Sequence, residues 1–149
     1  MSNPAPVPAP VAGAAPRGPS VRVRGVALFV LLIVEILLGN QLAVVGSPYP
    51  VGYLAAHIGL GLVLIGFSGY SLWVAARIGR GSATASAALT CLTTVGAVVS
   101  GFVFLLGNQS NGALLGMEAF GGVALLGAIL MVVFGGSRTA AAAPATGPG

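Results

Sequence analysis

No lysine occurs among the 149 residues, and Glu35 and Glu118 are the only acidic ones. A soluble domain carries roughly 25% charged residues to cover its surface, and here the fraction is 5%, which excludes a water-facing surface. One cysteine, Cys91, excludes an intrachain disulfide; inside an apolar run it reads as a small buried hydrophobe rather than a reactive thiol. The net charge of +4 rests on arginines at the ends of apolar runs, not on a basic patch interleaved with aromatics, so a nucleic-acid partner is excluded too.

What is present is hydrocarbon. Hydrophobic residues make up 56% of the chain, and its mean hydropathy is +1.02. A helix crosses about 30 Å of lipid core in about 20 residues. Apolar runs of that length lie at about 24–45, 51–76, 84–106 and 112–135, predicting four membrane spans. Short connections make neighbouring spans antiparallel, so the expected fold is an all-α integral membrane four-helix bundle, up-down-up-down. The domain plan is a Pro/Ala-rich tail over 1–23, a transmembrane domain over 24–136 and a second tail over 137–149. Neither tail has an apolar period with which to offset the entropy of ordering, and both are expected to be disordered. The first run is longer than a signal-peptide core and has no small-x-small cleavage site, which predicts an uncleaved span.

Arginine placement predicts orientation. Arg17, Arg22 and Arg24 precede the first span, Arg77 and Arg80 separate the second from the third, and Arg138 follows the fourth. The connections at 46–50 and 108–111 carry no charge. By the positive-inside rule, both termini are cytoplasmic and both short loops face outward, with the cell membrane as the expected location. Tyr49 and Tyr53 near one end of the second span, and Tyr70 and Trp73 near the other, fit interfacial aromatic belts. Ser47 with Pro48 offers a helix start, because a proline in the first turn loses no hydrogen bond. The segment 76–82, with Gly79 and Gly81, is the expected linker between two hairpins.

Those hairpins are related. Leu37-Leu38-Gly39-Asn40-Gln41 recurs as Leu105-Leu106-Gly107-Asn108-Gln109, an offset of 68 residues (105 minus 37). Beyond it, His57 aligns with Glu118, Gly61 with Gly122 and Gly66 with Gly127, an offset of 61 (118 minus 57). Both hairpins enter from the same side, giving a parallel repeat with its pseudo-two-fold axis along the membrane normal.

A charge at the bilayer centre costs at least ~2.5–3.5 kcal/mol, so intramembrane ionisable groups turn toward the bundle interior. Three such groups are candidates: Glu35, His57 and Glu118. His57 lies about two turns in from the outer loop, with Gly61 on the same face leaving space for the ring. It reads either as an axial ligand to a heme iron or as a histidine hydrogen-bonded to a neighbouring helix. Glu118, the repeat counterpart of His57, is expected at similar depth. It would either pair with His57 or serve as a structural contact that fixes helix register. Glu35, nearest mid-bilayer, reads as an interhelical hydrogen-bonding group. Asn40, Gln41, Asn108 and Gln109 are expected to end their helices and to bond across the bundle near the outer loops. They are also candidates for holding a headgroup or a propionate.

The stretch from Glu35 through Leu37-Leu38-Gly39-Asn40-Gln41 to Ser47, followed by Leu54-Ala55-Ala56-His57-Ile58-Gly59-Leu60-Gly61, resembles one hairpin of the heme A synthase family. The likeness covers about 30–75 and extends more faintly over 98–130. It implies a heme-binding membrane protein, in heme handling or electron transfer, with His57 on the iron and Glu35 in the place of the family's opening glutamine; by their positions Gly61 and Glu118 are then expected beside the cofactor. The family's Glu-x-x-His-Arg-like motif has no counterpart here: Leu54 stands three residues before His57, and the second hairpin has no histidine. The family's paired outer-loop cysteines are missing as well. Bis-histidine ligation would therefore need a second protomer, as in a homodimer, and independent heme A synthase activity is not expected. The alternative is a non-catalytic subunit or assembly factor of a respiratory membrane complex. A small transporter is a third reading, weakened by the lack of proline-broken half-helices.

Overall fold

The computed structural model describes residues 20–107 and 110–136, and these form four long helices joined by short turns. They are α1 (Val21–Val45), α2 (Val51–Ile78), α3 (Gly81–Leu106) and α4 (Asn111–Gly135). Each is long and apolar enough to cross a membrane, so the chain is a multi-pass membrane protein with an all-α four-helix architecture. With 25 to 28 residues, each helix is about 38–42 Å long and exceeds the hydrocarbon core, so its ends reach the headgroup layer. Three helices begin up to three residues before the apolar windows, because backbone hydrogen bonding continues where hydropathy falls. Ser20 caps α1 by accepting from the Val23 amide, and Ser110 caps α4 by accepting from Ala113. The tails at 1–19 and 137–149, with Arg17 and Arg138, lie outside the described residues, as do Asn108 and Gln109.

Helix α2 starts where its apolar run predicts, but not at the Ser47–Pro48 start signal. It begins at Val51 with Pro50 as its N-cap, after the Ser47–Pro48 pair rather than at it. A residue before proline is pushed toward extended backbone, so Tyr49 ahead of Pro50 delays the helix. At the other end, Gly79 adopts φ 73°, the left-handed geometry that terminates a helix and that glycine adopts without strain. The linker therefore narrows to the two residues between Ile78 and Gly81.

Each helix packs against its two neighbours in a closed square, with α3 and α4 the closest pair. Many large apolar side chains are exposed, among them Leu92, Val99, Leu106 and Leu115, as lipid-facing surfaces require. Cys91 is partly buried and unpaired. The buried core is Leu28, Leu32, Leu64, Ala75, Ala83, Ala87, Ala124, Ala128 and Met131. Almost all of it lies in the half of the bundle nearer the arginine-bearing ends. Small residues let the backbones approach there: a Cβ on Gly25 would stand 2.9 Å from Met131 Cβ, and one on Gly127 would meet the Thr90 backbone at 3.0 Å. Hydroxyls in this half are satisfied locally. Ser71, Ser86 and Thr90 each donate to the carbonyl four residues earlier, and Thr84 donates across the α2–α3 junction to Ala75 at 3.1 Å.

Candidate functional site: an intramembrane cavity with a histidine–glutamate pair

The other half of the bundle is hollow. A cavity of about 390 Å³ lies between all four helices, near the ends joined by the uncharged loops. Its wall is mostly apolar, including Leu54, Leu105, Leu114 and Met117. Set into that wall are Glu35, His57, Thr94 and Glu118, with Asn40 and Tyr49 also lining it. Lining residues such as Asn40, Phe102 and Glu118 are themselves exposed, so the cavity opens to its surroundings.

The hairpin geometry brings Glu35 and His57 together. Helices α1 and α2 fold back about Pro48, so residues equidistant from it lie opposite one another: 35 with 61, and 39 with 57. Each bulky polar side chain thus rests on a glycine of the facing helix. A Cβ on Gly39 would stand 3.2 Å from His57 Cε1, and one on Gly61 would stand 3.2 Å from Glu35 Oε1. Both glycines also sit four residues along from the polar residue on their own helix, hence on the same face. His57 Nδ1 and Glu35 Oε1 end 3.0 Å apart, with their side chains 18% and 15% exposed.

This contact is close but not well aligned. The carboxylate oxygen lies off the line of a ring N–H, so Nδ1 has no hydrogen-bond partner despite the short distance, and neither has Glu35 Oε2. Thr94 Oγ1 is the remaining buried side-chain polar atom without a partner among the described residues. Thr94 is 2% exposed and, unlike Ser86, Thr90 and Thr93, makes no bond back to its own helix. All three residues bearing these atoms line the one cavity. A buried unsatisfied polar group costs about 1–3 kcal/mol, so three around one space describe a site shaped for polar company.

Glu118 lines the same cavity, but its residue is exposed and makes no ion pair among the described residues. His57 sits six residues into α2 and Glu118 seven into α4, so both are about 10 Å from the uncharged-loop end, as the repeat implies. The partner of His57 is nevertheless Glu35. In the second hairpin, the residue 68 positions after Glu35 is Val103, which supplies neither charge nor hydrogen bond. Gly61 stands against Glu35, whereas its counterpart Gly122 lines the cavity with open space around it. Asn40 lines the cavity and Gln41 does not, being exposed on the next face of α1. Thr94 carried no sequence signal, because its significance lies in a hydrogen bond it does not make.

No family model, curated protein or solved structure matches the chain.

Proposed function

We propose that this protein binds heme in the intramembrane cavity, with His57 as the axial ligand through Nε2, and acts in heme handling or electron transfer. The observation that carries the reading is the His57–Glu35 pair in the wall of an otherwise apolar cavity. Ligating histidines almost always turn their second nitrogen toward a carboxylate or carbonyl, which fixes the ring and raises its basicity. Glu35 stands in that position toward Nδ1, the buried nitrogen of the ring. Gly39 leaves room for the Cε1 edge of the imidazole to approach α1.

The donor set favours a prosthetic group over a bare ion. No group of three or more metal-ligating side chains occurs among the described residues, whereas a heme needs only one protein ligand to its iron. The apolar wall suits a macrocycle, and the open side accommodates a ligand larger than the enclosed volume. Thr94 and the free oxygen of Glu35 would orient polar substituents, and Asn40 and Glu118 would meet those nearer the mouth. Bound there, heme would supply one-electron chemistry. The uncharged-loop end then faces outward, as the arginine distribution implies.

Protein purified after expression with added heme should show a Soret band that is lost in His57→Ala, while the variant keeps its helical circular dichroism. Colourless wild-type protein under those conditions overturns the reading. An unchanged Soret band in the variant removes His57 as the ligand.

A further inference from the structure

The opposite end of the molecule carries a second constellation, independent of the cavity. Tyr70 and Trp73, one turn apart on α2, stack with ring centroids 5.9 Å apart. The Arg24 guanidinium of α1 lies 4.5 Å from the Tyr70 centroid, and that of Arg77 lies 4.0 Å from the Trp73 centroid. The order is arginine, tyrosine, tryptophan, arginine, in a ladder across the α1–α2 edge toward the arginine-bearing end. Arg24 is buried, at 3% exposure, and forms the closed inner end. Tyr70 and Trp73 are each 50% exposed and Arg77 is exposed, so they form the open outer end.

We propose that this ladder is a binding site for the headgroup of an anionic phospholipid in the leaflet at the arginine-bearing end. Charge complementarity commits it to an anion. Arg24, Arg77 and Arg80 lie near that end of the described structure, and both carboxylates, Glu35 and Glu118, line the cavity in the other half. The Arg77 guanidinium, its carbon 4.0 Å from the Trp73 centroid and its residue exposed, offers a planar fork of N–H donors of the kind that matches two phosphate oxygens. Trp73 and Tyr70 stand five and eight residues inside the end of α2, so the aromatic shelf would meet the glycerol and upper acyl carbons of a lipid whose phosphate reached Arg77. Phosphate on the Arg77 edge and lipid backbone on Trp73 and Tyr70 would use every exposed part of the ladder.

The chain carries a single tryptophan, so its fluorescence reports on this site alone. The full chain in detergent is titrated with dihexanoyl phosphatidylglycerol, with dihexanoyl phosphatidylcholine and with inorganic phosphate. Saturable change with phosphatidylglycerol only is the expected result. Arg77→Ala should weaken that midpoint by roughly five-fold, the contribution of one arginine near an anionic surface. Arg22→Ala is the control. Arg22 lies on the other flank, where a Cβ on Gly136 would stand 3.3 Å from its Cδ, and its removal should leave the midpoint unchanged. Equal responses to the two lipids, saturation by phosphate alone, or equal losses in the two variants would each overturn the proposal.

Discussion

The two halves of this bundle, cut across the helices, use glycine for opposite purposes. Toward the arginine-bearing ends, glycines bring backbones together. The Cβ that Gly127 lacks would meet the Thr90 backbone at 3.0–3.2 Å, and the one Gly25 lacks would meet Ala128, Met131 and Val132. Toward the uncharged loops, Gly39 and Gly61 make room for an imidazole and a carboxylate. One half is consequently solid, with its hydroxyls bonded to backbone carbonyls, and the other holds a cavity ringed by unpartnered polar atoms. Without a hydrophobic driving force between helices in lipid, close packing must supply stability. The solid half can therefore carry the fold while the hollow half keeps unsatisfied groups around its cavity.

The largest effect should come from breaking the solid half. Gly127→Ala places a methyl group against the Thr90 backbone, which cannot rotate away, and overpacking of this kind costs about 1–3 kcal/mol. Its repeat counterpart Gly66 faces open space, so Gly66→Ala should be neutral or stabilise by up to about 1 kcal/mol through helix propensity. Reversible unfolding in mixed micelles measures both. Equal effects at the two positions would remove the contrast between a packing glycine and an idle one.

The next effect tests the pair. Glu35→Ala and His57→Ala each remove one member of the contact, and a double-mutant cycle isolates the coupling between them. Interhelical polar contacts in membranes average about 0.6 kcal/mol and reach about 1.7. Because the oxygen lies off the ring N–H direction, the ligand-free coupling should fall near the lower value. Added heme should raise it, since a ligated ring is held in one orientation. A coupling that stays the same with and without heme would mark the pair as structural.

Gly39→Ala should act more gently on stability and more selectively on the site. The added methyl group would lie 3.2 Å from His57 Cε1, so the ring must shift by a few tenths of an ångström. Expected is a stability change under about 1 kcal/mol with a measurable loss of heme affinity. Soret titration alongside unfolding separates the two readouts. Loss of stability with affinity intact would move Gly39 from the site to the core.

Much of this arrangement was legible in the chain, for identifiable reasons. Spans are readable because lipid demands about 20 apolar residues, and the repeat is readable because Leu-Leu-Gly-Asn-Gln survives in both copies. The pairing of His57 with Glu35 was legible too, once the hairpin is folded about Pro48. Residues 35 and 61 then stand opposite each other, as do 39 and 57, so each polar side chain meets a glycine. Pseudo-symmetry pointed instead to Glu118, because equal depth was taken to mean contact. Depth is only one coordinate: α2 and α4 are diagonal across the square, with the cavity between them. What could not be read was the packing asymmetry. Gly66 and Gly127 are indistinguishable by position in the repeat, and only the neighbouring helix decides which is buried.

Glu118 gives the finest test of how far the two repeats have diverged. It stands where the first hairpin has His57, but Val103 stands where that hairpin has Glu35, so among the described residues no ion-pair partner fixes its carboxylate. Its residue is exposed, and exposed substitutions away from packed features rarely exceed about 0.5 kcal/mol in either direction. Glu118→Gln should therefore leave unfolding unchanged within that range. If Glu118 meets the ligand at the cavity mouth, the same variant should still shift the heme titration midpoint. A stability loss matching that of Glu35→Ala would show the second hairpin holding its acid as tightly as the first holds its pair, and the two halves of the repeat would then be equivalent in energy despite their sequences.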